Sequence, residues 1–245
     1  MYSTNPPRSP KEVLSTIYDL PWEDSQRLEL PDECHLLQPQ LLGDTFRPPN
    51  YLLEQILVAR DVKLYYDPQQ ITWYKCPDWF AVVGVDPFYE QRDLRKSYRV
   101  WQEPVNPVVV VEILSPETEK EDLEQTLAQV NQPPTKWDVY EGILNVPYYV
   151  VFDDKRNQMR AFHLVSTCYT ELELLEPRVW MNDIQLGLGL WEGVYRGVKR
   201  PWLRWYDATG KWILTHEERE KQQAQILTEQ LRAFGIEPIL DFPGA

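Results

Sequence analysis

The chain of 245 residues carries 25 Lys and Arg against 38 Asp and Glu, a formal net charge of −13. Its 43% hydrophobic and 13% aromatic content suffices for a packed core and excludes wholesale disorder, while the negative total excludes an indiscriminate nucleic-acid coat. Charges interrupt every apolar run before the ~18 residues a membrane-spanning helix needs. The start, MYSTNPPRSPKE, has no apolar signal core, and three scattered cysteines, Cys34, Cys76 and Cys168, suit reduced thiols, so a cytoplasmic location is expected. Three histidines and three scattered cysteines offer poor material for a His/Cys zinc site.

Residues 1–48 are proline-rich, and Ser9-Pro10 reads as a helix start ahead of the narrow stripe Val13, Ile17 and Leu20, a segment for packing. YLLEQILVA (51–59) reads as either a buried helix or a strand. DVKLYYD and ITWYK read as β segments separated by the turn signal Asp67-Pro68. PDWFAVVGVD (77–86) and NPVVVVEILS (106–115) are runs of Val, Phe and Ile bounded by Pro, Gly and Asp, the pattern of strands buried on both faces. A helix start is expected after Ser115-Pro116, and a second capping signature, Thr135 to Asp138, opens a short helix through Lys136, Val139 and Tyr140. VPYYVVFDD resumes as a strand, and strand, helix, strand predicts an α/β core with some parallel pairing.

Downstream, QMRAFHLVS with YTELELLE, and RWYDATGKWI, read as β-hairpins. Thr215 with Glu218 forms a capping box opening a helix that ends near Gly235, with a seam of Ala224, Leu227, Leu231 and Phe234 for one partner surface. Charge is polarised along the chain: from Glu112 to Glu141 eight acids face two lysines, whereas from Tyr195 to Lys211 five bases face one acid. In the basic stretch, bases of a nucleic acid would stack on Trp and Tyr while Arg196, Lys199, Arg200 and Arg204 bind phosphates. The structural alternative has the aromatics filling a β appendage with arginines stacked on them.

Asp78 and Glu112 each interrupt an apolar strand, and burying unpaired carboxylates costs several kcal/mol unless something compensates. Read alone, Asp78 suits a strand end or turn, and Glu112 an ion pair with an arginine at a sheet edge. Read together, they suit a hard divalent cation such as Mg²⁺, which takes carboxylate and carbonyl oxygens. With a nearby ammonium these are the parts that phosphodiester cleavage needs.

Pro77-Asp78 followed by Glu112 within VVVVEILS resembles the PD-(D/E)XK nuclease superfamily, with Leu114 standing where that superfamily usually has lysine. PDWFAVVGV, SYRVWQE, VVVEILSPET, KWDVYEGILNVPYYVVFD, LRWYD and the final ERE…QLRAFGIEP together resemble the Uma-two family of restriction-endonuclease-like proteins, of a type common in cyanobacteria. The resemblance implies an α/β fold with a restriction-endonuclease-like core, a mixed β-sheet flanked by helices, here extended by a β-rich part and a C-terminal helix. Three parts are expected: an N-terminal packing segment (1–48), the core (49–200), and a β-hairpin with C-terminal helix (201–245).

By the same resemblance, Asp78 and Glu112 would bind Mg²⁺, or Mn²⁺, with the carbonyl of Ile113. The missing strand lysine would be replaced by Lys136 of KWDVYE, delivered from a helix facing the sheet. Glu54 lies where the superfamily often has a further acid, although an exposed helix face suits it as well. Asp122 and its acidic neighbours read as a solvated face, because clustered carboxylates repel one another. The implied function is a metal-dependent endonuclease acting on DNA as a homodimer. The alternative, prompted by the charge of −13 and by Leu114, is a catalytically inactive nuclease-like module for DNA binding or assembly. A third reading, a carbohydrate-active enzyme with two acids and Trp platforms, fits the Val-rich setting poorly.

Overall fold

The computed structural model describes residues 33–90, 92–103, 105–114, 122–123 and 132–235. The helix expected near Ser9-Pro10 lies outside them, as does most of the segment after Ser115-Pro116, of which Asp122 and Leu123 are described and helical.

Helix α1 (Glu33–Thr45) leads, by way of a short 3-10 turn at Leu53–Gln55, into β1 (Ile56–Ala59). The ambiguous run at 51–59 is thus a turn followed by a strand. β2 (Lys63–Tyr65), β3 (Tyr74–Lys75) and β5 (Ser97–Arg99) form a small sheet in the order β3-β2-β5. The Asp67-Pro68 signal is realised as a turn between β2 and β3, in which the Gln69 N–H donates to Asp67 Oδ1 at 2.8 Å.

The central sheet has six strands. β4 (Trp79–Val83), β6 (Val109–Ile113), β7 (Tyr148–Asp153), β8 (Gln158–Val165) and β9 (Cys168–Glu171) join β1 in the order β1-β4-β6-β7-β8-β9. Within this sheet, among the described residues, only the β6–β7 pair is parallel. Its crossover contains α2 (Lys136–Asp138), which runs on into a π-helical turn at Val139–Ile143. A third sheet, β10 (Arg178–Met181), β11 (Leu186–Tyr195) and β12 (Val198–Tyr206), is antiparallel throughout. Helix α3 (His216–Ala233) follows.

Alternation along the strands separates two cores. Trp79, Ala81, Val109, Val111, Val150 and Phe152 turn to one face, where they meet Leu42 and Phe46 of α1 and Leu188, Leu203 and Trp205 of the third sheet. Phe80, Val82, Val110, Tyr149 and Val151 turn to the other, against Trp137, Val139 and Tyr140. Both faces are covered, which is why β4 and β6 read as continuous apolar runs. α1 is tied to β12 by Gln38, whose amide donates to Leu203 O at 2.8 Å and accepts from Leu203 N at 2.9 Å. β12 runs through residue 200, and the core on that face takes in residues from 42 to 205.

The C-terminal half holds one hairpin that the sequence reading did not name. The principal hairpin joins β11 to β12 across Arg196 and Gly197, both at positive φ (50° and 83°), as a two-residue turn requires. The return expected in RWYDATGKWI closes as a short antiparallel turn: the Tyr206–Trp212 bridge is flanked by the Asp207 N–H donating to Lys211 O and the Ile213 N–H donating to Trp205 O, each at 2.9 Å. The aromatics of this region serve the structural alternative: Trp202 and Trp205 are fully buried, Arg204 stacks on Trp191 at 4.2 Å, and Arg178 lies over Trp212 at 4.4 Å.

Candidate active site

The acid pair is brought together by strand register. β4 and β6 pair with Trp79 opposite Val111 and Phe80 opposite Val110, so one step further sets Asp78 opposite Glu112. The two residues, 34 positions apart in sequence, clasp each other: the Asp78 N–H donates to Glu112 Oε2 at 3.3 Å, and the Ile113 N–H donates to Asp78 Oδ2 at 2.7 Å. Glu112 shares the face of Val110 and Leu114, so its carboxylate enters the core beneath α2 with no solvent exposure.

Helix α2 supplies the cation. Thr135 caps it, accepting from the Asp138 N–H at 3.1 Å while its own N–H donates to Asp138 Oδ2 at 3.1 Å. This fixes the first turn, and Lys136 and Tyr140, four residues apart, fall on one face. Lys136 Nζ lies 3.1 Å from Glu112 Oε2, and the Tyr140 hydroxyl donates to Glu112 Oε1 at 2.8 Å. Leu114, at the position of the missing lysine, packs in the apolar cluster below α2.

Asp122 corrects the sequence reading. It is wholly buried, not part of a solvated face, and its Oδ1 lies 2.7 Å from Lys136 Nζ. The ion pair resolves the repulsion that made clustered acids look solvated. Its backbone carbonyl accepts from the Tyr149 hydroxyl at 3.0 Å, whereas its Oδ2 has no hydrogen-bond partner. His35 of α1 is a second residue without a sequence signal. Its Nε2 stands 3.2 Å from the Ile113 carbonyl, the backbone oxygen expected to complete a ligand set, and its charge acts on Asp78. Glu54 is exposed on the 3-10 turn, as its helix-face reading implied.

Burial dominates the electrostatics. It pushes the Glu112 carboxyl well above the ordinary range, helped by Asp122 and Asp78 and opposed by Lys136 and Tyr140. It raises Asp78 as well, against Lys136 and the Ile113 N–H. For Lys136 burial works against the charge, but Glu112, Asp122 and Asp78 outweigh it and hold the ammonium above its usual pKa. With all four groups ionised, three carboxylates face one ammonium, leaving two negative charges, or one when His35 is protonated.

Such a site suits a divalent cation in charge and in donor type, and the unpartnered Asp122 Oδ2 marks the unmet demand. The present arrangement nevertheless has its oxygens engaged. Lys136, Tyr140 and the Asp78 N–H take both oxygens of Glu112. Among the described residues, no three or more His, Cys, Asp or Glu are grouped to hold a metal ion as they stand. Asp78, Glu112 and Asp122 are the oxygen donors that such an ion takes, and the Lys136 ammonium is seated on Glu112 Oε2.

A mixed sheet with an acid pair opposed on two central strands, flanked by helices, is the architecture of a restriction-endonuclease-like protein. The chain belongs to the Uma2 family, described as "Putative restriction endonuclease", whose family model matches residues 15–194 and so spans Asp78, Glu112, Asp122 and Lys136. No curated protein matches the chain. Among the described residues no helix is long and apolar enough to cross a membrane.

Proposed function

We propose that this protein is a metal-dependent endonuclease that hydrolyses DNA phosphodiester bonds. The observation that carries the reading is the opposition of Asp78 and Glu112 on one buried face with the Lys136 ammonium 3.1 Å from Glu112. Asp78, Glu112 and the Ile113 carbonyl would hold Mg²⁺ or Mn²⁺, which when bound polarises a phosphoryl oxygen and lowers the pKa of water. Tyr140 orients the Glu112 carboxylate through its hydroxyl. Lys136 offsets the negative charge that builds on the phosphoryl group in the transition state, where a fixed cation in a dry site acts most strongly.

The test is cleavage of plasmid DNA by the purified protein with Mg²⁺ or Mn²⁺, beside Asp78→Asn and Glu112→Gln. Each substitution removes a charged ligand and keeps the side chain's shape, so cleavage should be lost while the fold survives. Full activity in either variant refutes the assignment. Millimolar Mg²⁺ should also raise the wild-type melting temperature, because a cation relieves repulsion within the acid cluster.

The alternative, a nuclease-like module that binds DNA or assembles without cutting it, is favoured by two features: Lys136 is already engaged by two carboxylates, and Leu114 fills the usual lysine position. Metal binding and DNA binding without cleavage would select it. In either reading the protein acts as a homodimer, because two sites related by a two-fold axis match the symmetry of a duplex.

A further inference from the structure

The ammonium of Lys136 has two carboxylate partners, and they are not equivalent. Glu112 is already shared among Lys136, the Tyr140 hydroxyl and the Asp78 N–H. Asp122 offers the shorter contact, 2.7 Å against 3.1 Å, from a carboxylate that takes no hydrogen bond on its other oxygen. Its backbone is held from β7 by the Tyr149 hydroxyl, so the carboxylate is presented from a fixed point.

A divalent cation bound through Glu112 would repel an ammonium 3.1 Å from the same carboxylate, and in a dry interior that repulsion is strong. Lys136, which is buried, then needs another anion to stay beside the reacting phosphate. We infer that Asp122 is the positioning residue of this site: it anchors the Lys136 ammonium, so that Glu112 is released to a cation without the lysine leaving. The functional consequence rests on the nuclease reading, whereas the anchoring itself does not. Without Asp122, Lys136 turns wholly to Glu112 and competes with the cation for it.

The anchor is tested in metal-free protein by ¹⁵N-edited NMR of lysine ammonium groups, whose signals persist only when the group is held and shielded from exchange. The Lys136 signal, assigned by its absence in Lys136→Met, should survive Glu112→Gln, where Asp122 is the ion-pair partner that remains, vanish or broaden when Asp122→Asn is added to Glu112→Gln, and return when Asp122→Glu is added instead. Loss of the signal in Glu112→Gln alone, or its survival in the Glu112→Gln, Asp122→Asn double variant, overturns the inference. Should that double variant not fold, Asp122→Ser replaces Asp122→Asn in it with the same expected loss.

The consequence is read by Mg²⁺ calorimetry without DNA. Asp122→Asn should weaken Mg²⁺ at least about tenfold, Lys136→Met should not weaken it, and the double variant should return to within about threefold of Lys136→Met. A double variant as weak as Asp122→Asn would make Asp122 a direct ligand and overturn the anchoring role. If the wild type takes up no Mg²⁺, the nuclease reading fails, and the NMR series still decides the anchor.

Discussion

At Glu112, burial and charge pull in opposite directions, and the balance is measurable as a pH dependence. The unfolded chain holds its carboxyls near the ordinary pKa of about 4.3, whereas burial raises Glu112, and to a lesser degree Asp78, in the folded state. The folded protein therefore binds more protons than the unfolded one above that pH, and its stability falls as pH rises from the ordinary carboxylate range through the raised Glu112 pKa. Scanning calorimetry of metal-free protein across a pH series should show this fall. Glu112→Gln should flatten it, as should saturating Mg²⁺ in the wild type. The ammonium has a separate test. Lys136→Met keeps the aliphatic stem and removes the charge, so turnover should drop about a hundredfold or more, the scale of losing one transition-state electrostatic group. Cleavage at the parental rate would return Lys136 to a structural role.

Helix α2 shows how a short element sets the position of a charge. Only three residues are α-helical before the π-turn, so the cap at Thr135 governs where Lys136 points. Thr135→Ala should cost about 1 kcal/mol of stability, the usual value of an N-cap, and should lower cleavage by more than that loss explains. Thr215 caps α3 with the same geometry, its side chain accepting from the Glu218 N–H. Thr215→Ala should destabilise similarly and leave turnover unchanged. Urea unfolding beside cleavage rates separates the two; equal effects on turnover would mean that the α2 cap has no role in positioning Lys136. Both caps were legible because a capping box is local, a Thr followed three residues later by an acid. The β11–β12 turn was not, because Arg196-Gly197 lacks the Asn-Gly or Asp-Gly signature and takes its conformation from the long strands that it joins.

Across the molecule, two apolar cores sandwich the central sheet, and α3 stands apart from both. It has no buried residue; its ties to the body include Arg204 with Glu218, and Leu227 and Phe234 are exposed. An 18-residue helix without a packed face is marginal in water, and the seam Ala224, Leu227, Leu231 and Phe234 has the spacing to pack against its own copy. Light scattering at micromolar concentration should give the mass of two chains. Leu227→Glu combined with Leu231→Glu should give the mass of one with little change in melting temperature. A single-chain mass for the wild type would refute the dimer and weaken the double-strand-cutting scheme.

What the sequence determined by itself was whatever is written in local pattern. The Val-rich strands, the caps at Thr135 and Thr215, and the intruding acids Asp78 and Glu112 all follow from periodicity and from the cost of burying charge. Lys136 was reached through motif resemblance and not through periodicity, since a lysine on a short helix is ordinary. Tertiary structure decided which of these groups meet. The β4–β6 register sets Asp78 against Glu112, and the β6–β7 crossover lowers Lys136 onto that pair. Burial made Asp122 a partner of the lysine, although its neighbours in sequence are as acidic as any solvated run. The same holds for His35, which reaches the Ile113 carbonyl from 78 positions away. A residue's exposure depends on what the chain folds over it, and no window of neighbouring residues contains that information.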